Sequence, residues 1–407
     1  MSSGTFYKMV MNYVFLFVIL ALCQHSVLCE ANAGLADKIH LRGANHINNN
    51  QLTNTSEDTL NDIPRHKDTF QENKKTFPHT IMKSVDPFCY VATNQEVIEQ
   101  INEEHMFNII LKLSFVFYDN GQAVPFNFTE IRRLVEYPGF NKQNKLVLFI
   151  TGGFCTENEE NVAARKLANA YACRGNHNFI HLDLESFLGF LYMLSDLNIK
   201  EVGQIIAPYV AQLLDYIDIN QMHIIGHGIG AHVAGSIGQY FIRETKMLLP
   251  RITGLDPARP CLNRCEVPFK IQRGDAKFID IIHTNPGGYG MADPIGDADF
   301  YVNEMSATMP GCSDYVCSHQ RAYKYYAETV YPQNEKSLLA VHCKYFKIET
   351  EICDFDEIPT PMGYACPMNA KGNFYLPVNE NEPYGHYAKN LNICIPMQHM
   401  DRVSKLN

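Results

Sequence analysis

The chain changes character near residue 86. Residues 30–85 are polar and rich in Asn, Asp, Lys and His, as in Asn45-His46-Ile47-Asn48-Asn49-Asn50, and no apolar period holds for long. Such a stretch buries too little apolar surface to offset the entropy of ordering, so a disordered tail or propeptide is expected. Beyond it, apolar runs at Ile109–Tyr118, Lys145–Ile150, Phe179–Asp183, Met222–Ile225, Arg251–Leu255 and Phe278–Thr284 read as strands. A helical stretch at Val202–Ile217 separates two of them, despite Pro208 inside it. Strands alternating with helices predict an α/β fold, a mostly parallel sheet covered by helices on both faces. Ligands of such folds bind at the carboxyl ends of the strands.

At 407 residues and 46% hydrophobic, the chain can bury one large core, placed here at residues 86–407. Residues 1–29 read as a secretory signal, with Lys8 as the n-region charge and an apolar run from Val10 to Cys23. That run is too short for a membrane helix, and cleavage is expected near Cys29 or Ala31. No other stretch is apolar enough to span a bilayer, so an extracellular protein is expected.

Cysteine usage fits an oxidising compartment. Of 13 cysteines, Cys23 and Cys29 fall in the signal, leaving 11. Cys312/Cys317, Cys261/Cys265 and Cys343/Cys353 look like short disulfide staples. An odd count leaves an unpaired thiol and allows a disulfide-linked dimer. No Cys-x-x-Cys tandem or Cys/His finger spacing appears, so neither a metal nor a cofactor is expected. Asn54-Thr-Ser and Asn127-Phe-Thr are acceptor sequons for N-glycosylation. The net charge of −10, with no Lys/Arg cluster, gives nucleic-acid binding little support.

The chemistry centres on His223 to Gly235. Met222-His223-Ile224-Ile225 meets the turn Gly226-His227-Gly228-Ile229-Gly230, and a small-residue helix begins at Ala231. This is the layout of a nucleophile elbow, G-x-S-x-G, in which a sharp strand-to-helix turn lifts one side chain above the sheet. Here the lifted position is Gly228. An elbow strains its central residue in a backbone region that glycine tolerates and residues with a Cβ do not. Losing the nucleophile to glycine therefore removes the chemistry without burdening the fold. In this fold a triad runs in the order nucleophile, acid, histidine. Asp256, closing the short strand Ile252-Thr253-Gly254-Leu255, is the candidate acid. His319, where a loop enters a helix with Ala322, Tyr325, Tyr326 and Val330 on one face, is the candidate base. Ser236 lies about two helical turns past the elbow, too far to replace the lifted side chain. Thr151 has no base at a recognisable spacing.

With these segments the chain resembles the pancreatic-lipase-like family of animal lipases. The matching stretches are Ile224–Gly235, Ile252–Pro260, Asp275–Thr284, Gly288–Tyr301 and Pro310–Glu328, within a likeness covering roughly Pro87 to Ile395. The resemblance implies an α/β-hydrolase fold. It sets Gly228 at the nucleophile position, Asp256 as the acid and His319 as the base. It also implies an oxyanion hole made by the backbone N–H groups of Phe154 and Ile229, and a lid between Cys312 and Cys317. Only Ser313-Asp314-Tyr315-Val316 lies between those cysteines, too little to cover a pocket mouth. The departures fall at the chemistry: the family's His-Gly-Phe is Gly152-Gly153-Phe154, its Asp-Trp is Asp183-Leu184, and the histidine of its Pro-Ile-Gly-His is Asp297. The calcium-loop region reads Lys270-Ile-Gln-Arg-Gly274, short of carboxylates. The C-terminal β-sandwich of pancreatic lipases is not seen. The short-lid, single-domain form looks like insect sn-1 phospholipases and, among inactive members, fly yolk proteins.

The expectation is a secreted, catalytically inactive lipase-fold protein that binds or carries a lipid or other apolar molecule, or serves for storage. The alternative is an active extracellular lipase or sn-1 phospholipase that hydrolyses carboxylic esters with a non-serine or unrecognised nucleophile.

Overall fold

Strand β3 (Lys145–Ile150) shows how an unbroken apolar run is used. Leu146, Leu148 and Ile150 join one hydrophobic cluster, Val147 and Phe149 the other. Successive side chains of a strand point to opposite faces. A strand with no polar alternation must therefore be covered on both sides. The computed structural model describes residues 113–151, 161–184, 195–259, 270–303, 306–347, 350–354 and 357–389. The expected signal, the polar tail, Asn54, Phe154 and the Cys261/Cys265 pair lie outside them.

The other strands are β1 (Ser114–Asp119), β2 (Gln122–Asn127), β4 (His177–Asp183), β5 (Met222–His227) and β6 (Arg251–Leu255). They continue with β7 (Phe278–His283), β8 (Ala298–Val302), β9 (Leu339–Lys347), β10 (Thr350–Asp354), β11 (Thr360–Pro361) and β12 (Gly372–Leu376). The sheet order is β10-β9-β12-β8-β7-β6-β5-β3-β4-β1-β2, with β11 beside β9. From β4 across to β12 neighbouring strands run parallel. Antiparallel strands add to both ends. Helices α1 (Ile131–Val135), α2 (Val162–Arg174), α3 (Ser195–Gln212), α4 (Ile229–Thr245) and α5 (Tyr315–Val330) complete the described elements. Residues of α3 and α4 share the first cluster, and those of α2 and α5 share the second, so the helices divide between the two faces. This is the expected α/β-hydrolase arrangement, a mostly parallel sheet between helices.

The expected strands from Lys145 onward fall within two residues of their bounds, with β5 running on to His227, while the start of the expected Ile109–Tyr118 run lies outside the described residues. Helix α3 begins before the expected Val202 and stops at Gln212, with a 3₁₀ turn at Leu213–Asp215. It keeps Pro208 inside. The Cys312–Cys317 and Cys343–Cys353 disulfides form as expected, and Cys173 is disulfide-bonded as well. Among the described residues Cys366 is free and buried at 5% exposure, so a covalent dimer through it would first have to expose it.

Arg251 of β6 and Asp280 of β7 form an ion pair within the parallel sheet. Arg251 Nε and Nη2 donate to the two oxygens of Asp280 at 2.8 and 2.7 Å, and the Thr253 hydroxyl donates to the same carboxylate at 2.8 Å. Arg251 also donates to the carbonyls of Gly363 and Tyr364, tying β6 to the segment before β12. Breaking such a pair from one side strands the other charge in the interior. Arg251→Met is expected to lower unfolding free energy by about 3–5 kcal/mol, measured by urea denaturation. A loss below about 1 kcal/mol would show that Asp280 finds other compensation.

Candidate functional site

The elbow has the expected geometry. Gly228 joins β5 to α4 with φ 58° and ψ −123°, a combination that disfavours any residue with a Cβ. Its neighbours are glycine for a different reason. A Cβ on Gly226 would lie 2.3 Å from the Gly230 carbonyl oxygen, and one on Gly230 would lie 2.3 Å from the Ile150 oxygen. Helix α4 thus begins almost in contact with the ends of β3 and β5. The Gly228 N–H donates to the Leu255 carbonyl at 3.0 Å, and its own carbonyl accepts from Ala231 and Ala258. Ile229, the expected oxyanion donor, is the first residue of α4, where backbone N–H groups have no intrahelical acceptor.

The structure brings Asp256 and His319 together. His319 Nδ1 lies 2.5 Å from Asp256 Oδ2, and both side chains are fully buried. Asp256 stands just past β6 in the left-handed region, φ 43°, which aspartate tolerates better than most residues. Its Oδ1 accepts the backbone N–H groups of Thr284 and Asn285, each at 2.9 Å. Gly290 makes room, since a Cβ there would lie 2.3 Å from that oxygen. The acid is therefore aimed at the histidine by backbone from the loop after β7. His319 lies on the fifth residue of α5, further into the helix than the sequence suggests. The His227 ring sits 4.4 Å from the His319 ring, with Nε2 at 3.1 Å from the His319 carbonyl. Tyr289 meets His319 edge-on at 6.3 Å between centroids.

The segment expected as a lid is different in kind. Tyr315 and Val316 already belong to α5, and Asp314 caps it by accepting the Cys317 N–H at 2.7 Å. The Cys312–Cys317 disulfide staples a helix start to the preceding turn. Asp297, where the resemblance places a histidine, accepts the Ile279 N–H at 2.9 Å and so serves the sheet. Asn127 ends the edge strand β2, with its Oδ1 accepting the Thr129 hydroxyl at 2.6 Å. Among the described residues no cluster of three His, Cys, Asp or Glu is placed to hold a metal ion.

Both remaining hydroxyls have partners. Ser236 donates to the Lys200 carbonyl at 3.3 Å. Thr151 Oγ1 lies 2.7 Å from His181 Nε2, a pairing that its sequence context does not reveal. Burial pushes the His181 imidazole down to about 4, so it is a poor base near neutral pH.

An α/β-hydrolase frame with an elbow, a strand-end acid and a helix-borne histidine defines the class. The lipase family profile matches residues 85–384, and the chain belongs to that family. It is 29% identical over 313 residues to vitellogenin-2 of Ceratitis capitata, covering 68% of this chain and 74% of that one. Vitellogenin-3 of Drosophila melanogaster is 34% identical over 56% of this chain and 54% of its own length. Human pancreatic triacylglycerol lipase is 31% identical over 62% and 58%. The matches thus span from about half to three quarters of these relatives. An arylesterase among solved structures covers 65% of this chain and 73% of its own at 13% identity, with a TM-score of 0.25.

Buried neutral histidines make acid the weak side of this fold. Burial pushes His181 and His232 down to about 4 and His227 well below its ordinary value, aided for His227 by the nearby His319. Each contributes stability that is present above pH about 6.5 and is lost as pH falls, because the unfolded chain takes up the proton first. Asp275, pushed up to about 6, and Glu328, also raised, act in the opposite sense. Burial lowers His177 and His223 as well, so five histidines against two carboxyl groups leave a net loss. The urea midpoint is expected to fall between pH 7 and 4.5, and a flat profile would contradict neutral burial of these rings.

Proposed function

We propose that the protein is a secreted, catalytically inactive member of the lipase family whose cleft holds a lipid or other apolar ligand, in a carrier or yolk-type storage role. The observation that carries this reading is a glycine at the apex of the strand-to-helix elbow, whose neighbour His227 packs on the His319 ring of the Asp256–His319 pair. Serine-type ester hydrolysis needs a hydroxyl at that apex to form the acyl-enzyme. Gly228 has none, while the Ile229 amide and the strand-end geometry suit binding of an ester or alcohol head group.

The neighbouring hydroxyls do not favour a substitute nucleophile. Ser236 is spent on the Lys200 carbonyl, and Thr151 is paired with an imidazole too weak to activate it. The likeness to vitellogenins supports the yolk-type reading. The secretory leader, the disulfides and the sequons at Asn54 and Asn127 agree with an extracellular glycoprotein. Among the described residues no helix is long and apolar enough to cross a membrane.

Purified protein is expected to show no hydrolysis of phospholipid or short-chain acyl esters, whereas Gly228→Ser gains activity through Asp256 and His319. Wild-type turnover that is abolished by His319→Ala would overturn the reading.

A further inference from the structure

The Thr151–His181 pair belongs neither to the elbow nor to the acid–histidine pair, and its place in the sheet suggests a use. Ile150, the last residue of β3, pairs with Gly226 of the elbow strand, while Phe149 pairs with His181 on the other side. Thr151 follows directly, at the carboxyl end of the sheet where ligands of such folds bind. A Cβ on Gly230 would lie 2.9 Å from the Thr151 carbonyl carbon, so this residue packs against the elbow itself. Side chains alternate along a strand. Val147 and Phe149 join the cluster that contains Ala322, Tyr323 and Tyr326 of α5, the helix that carries His319. Continued alternation sets Thr151 on that same face.

The pair has hydrogen-bonding capacity to spare. A threonine hydroxyl offers one donor and two acceptor positions, and a neutral imidazole one donor and one acceptor. Among the described residues their contact of 2.7 Å uses one site on each. Among the described residues the buried His181 Nδ1 has no hydrogen-bond partner, an unusual state for a fully buried polar atom. Thr151 keeps 8% exposure, enough to touch a ligand without opening to bulk water.

We propose that Thr151, held by His181, is the polar anchor of the cleft, and that the ligand is an uncharged apolar molecule bearing a hydroxyl group. This rests on the binding reading above and names its ligand class. A hydroxyl both donates and accepts, as the pair does. A carboxylate would shed its hydration against two neutral groups that supply no countercharge, which is costly in a buried site. Burial keeps His181 neutral, in line with that preference.

The test is binding of oleyl alcohol, oleate and 1-octadecene to the delipidated full-length protein at pH 8. Wild type, Thr151→Val and Thr151→Ser would be compared by displacement of a fluorescent lipid. Oleyl alcohol is expected to bind about tenfold tighter than oleate. Thr151→Val should weaken it by roughly threefold to tenfold, the range of one neutral hydrogen bond. Octadecene affinity should stay unchanged in Thr151→Val, and Thr151→Ser should retain alcohol binding, which separates a lost anchor from a damaged fold. Equal affinity of Thr151→Val and wild type for oleyl alcohol, or tighter binding of oleate, overturns the proposal while leaving a binding cleft. No binding of any of the three chains overturns both.

Discussion

Close approach of α4 to the ends of β3 and β5 is the constraint on which the rest of the site depends. Backbone sits where side chains would normally intervene, with room at Gly226 and Gly230 for nothing larger than hydrogen. That packing forces the intervening residue into a positive φ at Gly228. In a catalytic elbow, strain of this kind is tolerated because it lifts the nucleophile; a non-glycine residue held there costs on the order of 1–3 kcal/mol. Glycine occupies the same turn without that cost. The frame therefore needs no side chain at its apex, and the neighbouring strands keep their register.

The Asp256–His319 pair follows the same logic from the other side. Asp256 is held by two backbone N–H groups and by the space that Gly290 leaves, and His319 bridges it to α5. In a fully buried setting, removing either partner leaves a polar group unsatisfied, at a cost of about 1–3 kcal/mol. The pair ties the loop after β7 to the helix that closes one face of the sheet. Its retention beside a glycine apex is therefore accounted for by stability. Hydrolysis is not required to explain it.

Much of this was legible in the sequence, for reasons particular to each part. The central strands announced themselves because burial on both faces demands unbroken apolar runs, as in Lys145–Ile150. The elbow was legible because its glycines are sterically required. The outer strands were not. In β2 only Phe126 is buried, and Pro125 is tolerated because an edge strand need not donate on both sides. Strand β12 is held by pairing to β8 and β9, and its first two residues are only half-buried. Thr151 and His181 lie 30 residues apart and meet only through the β3–β4 register, which a single sequence does not specify. The short lid, read as a loop, is the capped first turn of α5 because Asp314 is a good N-cap.

The proposed function gives this lipase frame a binding role without covalent chemistry. The most direct measurement is intact-protein mass spectrometry after incubation with a fluorophosphonate, a reagent that captures any activated hydroxyl in a hydrolase site. No stoichiometric adduct is expected on the native protein, because Gly228 offers no oxygen to displace fluoride and become phosphonylated, and the imidazole paired with Thr151 is a poor base. A one-to-one adduct on any residue would contradict the account and identify the nucleophile it denies.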